Sequence, residues 1–241
     1  MRQAWSKVAR MSGTEGVGAG CGLVSEGLGV LHLFGEAGSD AEALVQVVKE
    51  ATEDGTQVIT VSTLGHRGSV AVMALDEDVL KLRSLQRRLS AAGMTLSDSF
   101  FSLTEVSEYA KGLPDERKRP RLYPILPPEG KLAWCFYPMA KRRTEGANWY
   151  QLEYAERERL MYEHGSSGRR FADRITQLVT GATGVSDWEW GVTLFGKHPD
   201  DIKAVVYEMR FDEASARYAE FGSFYTGVVQ APEEVFGLIR G

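Results

Sequence analysis

Apolar and polar positions recur along the chain in an order that predicts two similar α+β halves. In the first half, Gly29 to Phe34 (GVLHLF) is a short strand-type run. Ser39-Asp40 can cap a helix whose apolar positions Ala43, Leu44, Val47 and Val48 share one side. Thr56 to Ser62 alternates as a strand centred on Val58 and Ile59, and Ser69 to Leu75 predicts the next strand. Asp76 then opens a helix with Val79, Leu82, Leu85 and Leu89 along one face. Ser99 to Leu103 is a further strand. The order β-α-β-β-α-β is that of a ferredoxin-like unit.

A basic, proline-containing stretch follows, with Arg117, Lys118, Arg119, Pro120 and Arg121, then Pro124, Pro127 and Pro128. It predicts a connector over 114–130 between halves spanning 26–113 and 131–241. In the second half, Leu132 to Met139 alternates as a strand, with Leu132, Trp134 and Phe136 as a bulky core face. Trp149 to Glu163 predicts a helix ended by the glycine break His164-Gly165-Ser166-Ser167-Gly168. Arg169 to Thr180 predicts a second helical piece, on which Gln177 falls opposite Ile175 and Leu178. Trp188 to Phe195 alternates as a strand, with Trp188 and Trp190 as core. Pro199-Asp200 begins a helix running to about Met209, and Ser223 to Val229 closes as a strand. Residues 1–25 carry small residues without periodicity and read as a mobile tail.

Composition narrows the class. The 241 residues are 43% hydrophobic and 25% charged, an ordinary globular balance with a core of normal size. A net charge of -5 argues against non-specific nucleic-acid binding. No apolar run reaches bilayer length and the first twenty residues lack a secretory apolar segment, so a cytoplasmic protein without a membrane partner is expected. The two cysteines, Cys21 and Cys135, form no CxxC or Cys/His pattern, so no structural zinc site is expected. No GxGxxG follows a strand, and no GxSxG or HExxH motif occurs.

The candidate chemistry therefore rests on few residues. Of four histidines, His32 lies in an apolar strand, His66 in a glycine turn and His198 at a helix start. His164 differs: it ends a predicted helix and is followed by two glycines, with Leu160 and Met161 on its face. Such a position suits an axial ligand to a flat cofactor, and it equally suits a cation that complements a helix C-terminus. On the strand into Met139, the face opposite Trp134 and Phe136 carries Ala133, Cys135 and Tyr137, so two small residues leave space beside a phenol. Lys141, Arg142 and Arg143 follow, and they fit either an anionic ligand or a solvated basic loop.

The segments CFYPMAKRR, NWYQLEYAERERLMYEHGSSGR, DWEWGVTLFG and VVYEMRFDEASARYAEFGSFYTG cover about half the chain. In this order they resemble the coproheme decarboxylases of the chlorite-dismutase-like superfamily. In the first half only SFFSLTEVSEY and RPRLYPILP do so. The resemblance implies an α+β fold of two ferredoxin-like halves forming a dimeric α+β barrel-type subunit, and a homopentamer. It implies Fe-coproporphyrin III (coproheme) as substrate and redox cofactor, heme b as product and hydrogen peroxide as oxidant. By resemblance, His164 is the proximal iron ligand and Tyr137 the catalytic, radical-forming tyrosine. Pro138, Met139, Ala140 and Lys141 flank the porphyrin and its propionates, and Trp149 lies near the pocket. Gln177 takes the distal position where chlorite dismutases carry arginine. Ser215 and a connector arginine, Arg121 in preference to Arg119, bind propionates. The rival readings are a chlorite dismutase, a non-enzymatic heme-binding protein, and a barrel of the same type without heme.

Overall fold

The computed structural model describes residues 22–65, 68–110 and 112–238. Cys21 and His66 lie outside the described residues, as does most of the expected tail. Residues 22–24 do not behave as a tail: Leu23 bridges Asp78, and the Val24 N–H donates to the Glu77 carbonyl.

The first half forms β1 (Gly29–Glu36), α1 (Ala41–Glu53), β2 (Gln57–Leu64), β3 (Val70–Asp76), α2 (Val79–Ala91) and β4 (Thr95–Thr104). Asp40 caps α1, accepting from the Ala43 N–H at 3.0 Å. Asp78, not Asp76, caps α2, because the Asp76 carboxylate is used by the Thr56 hydroxyl and the Asp78 N–H. The connector is not a bare loop: it holds α3 (Asp115–Leu122), with Pro120 inside it. Leu122 is buried, and its carbonyl accepts from the Thr104 hydroxyl at 2.8 Å.

The second half forms β5 (Ala133–Lys141), the short pair β6 (Arg143–Thr144) and β7 (Ala147–Asn148), and α4 (Tyr154–Arg169). It continues with β8 (Ile175–Gly181), β9 (Trp190–Gly196), α5 (Pro199–Met209), α6 (Glu213–Ala216), β10 (Ala219–Phe221), β11 (Tyr225–Val229) and α7 (Pro232–Val235). Two expectations are overturned here. The second half of the predicted helix over 169–180 is strand: the three-residue spacing of Ile175 and Leu178 looked helical, but 175–181 pair with β9 in unbroken register. The glycine break does not end the preceding helix either. α4 runs through Gly165 and Gly168 to Arg169, so His164 lies inside the helix. Each interior glycine costs about 1 kcal/mol of helix propensity. Tertiary contacts offset this: Ser167 is buried and donates to Asp212 at 2.7 Å, and Gly168 lies against Met209 of α5.

The strands run β5-β11-β2-β3-β1-β4-β8-β9, and β9 returns to β5, closing an eight-membered ring. β10 extends the β11 edge along Met139 to Lys141. Alternate residues fill the inside: Val30 and Phe34, Met73, Phe100, Trp134 and Phe136, Leu178, Phe195 and Tyr225. Leu132 does not share that core; it precedes the strand and is 47% exposed. Trp188, expected as core, packs half-buried against the same cluster, and Trp190 is half-buried with its N–H on Glu105. The opposite faces are covered by helices. α1 and α2 cover β1 and β3 through Leu44, Val48, Leu82 and Leu85. α5 covers β5 and β9 through Ile202 and Val205, which meet Cys135, Tyr137, Val192 and Leu194. α4 packs on α5 and α6.

Candidate active site

The outer face of β5 and the inner side of α4 bring most of the candidate residues to one region. Alternation along β5 turns Trp134 and Phe136 into the barrel and Cys135, Tyr137 and Met139 outward. Tyr137 is 8% exposed. Its ring stacks on Phe224 at 4.5 Å and meets the edge of Phe221 at 5.7 Å. Burial holds its phenol well above the ordinary ionisation range, with Cys135 adding to the effect. No described residue hydrogen-bonds its hydroxyl. The Cys135 thiol, pushed up to about 12 by burial, stays protonated.

Lys141 closes β5 and is 7% exposed. Its ammonium donates to the Ala214 carbonyl at 2.6 Å and lies 4.2 Å from the centre of the Trp149 ring. Burial lowers its ionisation to about 8, while the Glu189 carboxylate acts against that shift. Trp149 is itself buried, edge-on to Tyr218.

His164 projects from α4 toward the turn that opens α6. Its Nδ1 lies 3.2 Å from Asp212 Oδ2 and 3.4 Å from the Ser215 hydroxyl. The other Asp212 oxygen accepts from Ser167. Asp212 occupies the N-cap of α6 but makes no side-chain cap bond, because both oxygens face α4 instead. Burial lowers the His164 ionisation and the Lys141 charge adds to this, while Asp212 opposes both. A carboxylate only accepts, so Nδ1 carries the proton and the Nε2 lone pair is left for a metal. Among the described residues no group of three His, Cys, Asp or Glu side chains could hold a bare metal ion. One histidine with a fixed tautomer fits an iron whose remaining ligands come from a porphyrin.

The remaining residues are placed as follows. Met139 is half-buried beside the α5-covered cluster, and Ala140 pairs with Glu220. Pro138 points the other way, into a cleft of about 800 Å³ at the barrel mouth that also includes Phe136, Phe221 and Phe224. Gln177 is exposed on the outer face of β8, in one cross-strand row with Leu194 and Cys135. Ser215 is buried against His164. Arg121 stands on α3 with its guanidinium on the Arg117 carbonyl, and Arg119 covers the Tyr123 ring at 5.2 Å. Neither arginine touches the cluster around His164. Of the other histidines, His32 is buried inside the barrel on Thr193, and His198 is the N-cap of α5.

Sequence reasoning missed Asp212, Ser167, Glu189 and Phe224. Asp212 sits 48 residues from His164, and no spacing rule links them. Glu189 stands between two tryptophans, where a carboxylate reads as the solvent side of a strand. In the structure it is 7% exposed and accepts from the Lys141 N–H at 2.7 Å.

Comparison with known proteins adds the following. The profile of the family described as chlorite dismutase matches residues 37–230. A coproheme decarboxylase of Staphylococcus carnosus is 43% identical over 180 residues, covering 70% of this chain and 71% of that protein. A solved structure described as a novel heme-binding protein from Thermus thermophilus superposes with a TM-score of 0.79 at 35% identity, covering 88% of this chain and 95% of that one. Chlorite dismutase from Candidatus Nitrospira defluvii, in complex with imidazole, shares the fold with a TM-score of 0.70 at 15% identity, covering 89% of this chain and 96% of that one.

Proposed function

The chain belongs to the chlorite dismutase family, and on that premise we propose that it converts coproheme to heme b by oxidative decarboxylation of two propionates to vinyl groups. The observation that carries this reading is the His164–Asp212 pair under the charge of the buried Lys141, at the end of the strand whose outer face also carries the buried phenol of Tyr137. The coproheme decarboxylase of Staphylococcus carnosus, 43% identical, supports the choice of substrate. Hydrogen peroxide is the oxidant in this reading, and the bound iron supplies the oxidising power.

The chain's own residues then bind, orient and exchange protons. His164 offers Nε2 to the iron, and Asp212 and Ser167 fix the ring so that the lone pair points one way. Tyr137 gives up one electron and its hydroxyl proton, and the resulting tyrosyl oxygen takes hydrogen from the β-carbon of a nearby propionate. Burial keeps that phenol protonated beforehand, so it enters the step as a neutral donor. Lys141, Ser215 and Arg121 hold carboxylates, with Pro138, Met139, Ala140 and Trp149 along the macrocycle. Gln177, exposed on the outer face of β8, would present an uncharged amide to the oxidant. Loss of carbon dioxide and a second electron leaves each vinyl group, and one hydrogen peroxide per propionate would accept both electrons and end as two waters.

We place the enzyme in the cytoplasm as a homopentamer, at the last step of heme formation from coproporphyrin. Among the described residues no helix is long and apolar enough to cross a membrane. The second reading, chlorite dismutase, rests on the shared fold. The uncharged Gln177 speaks against it, since an arginine there would hold an anionic oxidant. The test is to titrate coproheme into the protein, add peroxide stepwise and follow the porphyrin by mass. Successive loss of two carboxyl groups is expected. Intact coproheme throughout, or oxygen evolution from chlorite instead, would reject the proposal.

A further inference from the structure

We propose that Glu189 is the positioning residue for substrate carboxylates: a buried acid that holds the cationic end of β5 in the geometry that meets a propionate. This rests on the reading of coproheme as substrate.

Glu189 immediately precedes β9 and is tied at both ends of its backbone. Its N–H donates to the Met139 carbonyl at 3.1 Å, and its carbonyl accepts from the Ala182 N–H at 2.8 Å. Its side chain then turns onto the adjoining strand. One oxygen accepts from the Lys141 N–H at 2.7 Å, and the other lies 4.0 Å from the Arg143 guanidinium. Burial raises the ionisation of the Tyr150 phenol, and the nearby Glu189 carboxylate raises it further. One acid thus gathers the backbone of Lys141 and the head of Arg143, from the end of β5 and from β6.

A carboxylate nine-tenths buried is expensive unless it is fully hydrogen-bonded. Fold stability asks only for an acceptor for the Lys141 N–H, and a neutral one would serve as well as a charged one. What the acid supplies is order at a strand end that is otherwise crowded with like charge. Lys141, Arg142 and Arg143 follow one another and repel. Glu189 pins the first by its backbone and draws the third toward the same point. Arg143 remains mostly exposed, so it is held in place without being consumed. An incoming carboxylate therefore meets an ordered pair of cations and not a mobile run.

The test uses the whole protein and two porphyrins, with binding read from the Soret band. Coproheme carries free propionates; its tetramethyl ester has the same macrocycle with the carboxylates masked. For Glu189→Ala, the affinity for coproheme should fall about tenfold or more, while the affinity for the ester stays at the wild-type value. Glu189→Gln keeps an acceptor for the Lys141 N–H and should restore coproheme binding to within about threefold. Should Glu189→Ala fail to fold, Glu189→Asp draws the same carboxylate back by one methylene and is read in the same way. Equal weakening of both porphyrins would mean general loosening and would overturn the proposal, as would unchanged coproheme binding. A wild-type protein that binds no coproheme overturns the functional reading itself, and that result is seen before any variant is made.

Discussion

His32 gives the protein an acid weakness whose size can be worked out. It is 1% exposed, inside the barrel, with its ring stacked on Phe136 at 4.1 Å and Nε2 on the Thr193 hydroxyl at 3.0 Å. Its Nδ1 has no hydrogen-bond partner among the described residues. Burial lowers its ionisation from 6.5 to about 3. Between those values the unfolded chain binds a proton there that the folded chain refuses. Stability therefore falls as pH drops below 6.5, by about 1.4 kcal/mol per unit. Two units below, the loss is about 3 kcal/mol, a sizeable share of the stability of a typical domain. His164 is also shifted downward, so the wild-type slope alone does not isolate His32. His32→Phe does, because it keeps a ring on Phe136 and removes the titration. Urea unfolding of both proteins from about pH 7.5 to about pH 4.5 is the assay. The stability gap between them should move in favour of His32→Phe by about 1.4 kcal/mol per unit below pH 6.5. Two parallel curves would show that the barrel admits the charged ring, and the reasoning would fall.

Four further outcomes are expected. Tyr137→Phe keeps the ring on Phe224 and should bind coproheme normally, but vinyl formation followed by chromatography should drop by at least about 100-fold; wild-type turnover would exclude the phenol. His164→Ala should lose the histidine-ligated Soret band of the coproheme complex, and an unchanged spectrum would exclude it as ligand. Asp212→Asn keeps the shape but weakens the hold on Nδ1, so coproheme affinity should fall by about 10–100-fold and the iron–histidine stretch should move to lower frequency; a stationary stretch would leave Asp212 a purely structural role. Gly191→Ala would place a Cβ 2.7 Å from Phe100 and 3.1 Å from Phe136, so thermal unfolding should show a loss of about 1–3 kcal/mol.

Periodicity read well wherever an element buries one face. The helix from Pro199 to Met209 and the strands of the first half needed only alternation or a single apolar stripe. It read poorly where tertiary contact overrides local preference. The glycines after His164 are a stop signal in isolation, and it takes tertiary contacts, the Ser167–Asp212 bond 45 residues apart and Gly168 against Met209, to explain why the helix continues. β8 is legible as a strand only once β9 lies beside it. Within the site, the face shared by Ala133, Cys135 and Tyr137 was visible because strand alternation is strict, but the space expected beside the phenol is not open: Ile202 and Val205 of α5 fill that face. Asp212 and Glu189 were not, because a buried carboxylate and a solvated one are the same letter. The four segments that carry the family resemblance contain both residues, but a segment match does not say which side chains turn inward.

The placement of Tyr137 follows from β5 being held on both edges. Residues 133–139 pair with β9, and residues 133–136 pair with β11 on the other side. A slip of one residue would turn Tyr137 into the barrel and Phe136 out of it. The closed ring forbids that slip, because every strand would have to move with it. One position in β5 still looks wrong for an internal strand: Pro138 has no N–H to give. In an antiparallel pair the N–H and carbonyl of a residue point to the same neighbour. The Pro138 carbonyl accepts from Gly222, so its missing N–H also faces the edge where β10 ends and β11 has yet to begin. The proline thus falls at the one place where the neighbouring edge is interrupted. That interruption is the segment Gly222 to Phe224, and it is what carries the Phe224 ring over the sheet onto Tyr137. The proline beside the tyrosine and the aromatic clamp above it are two consequences of one break in the β10–β11 edge.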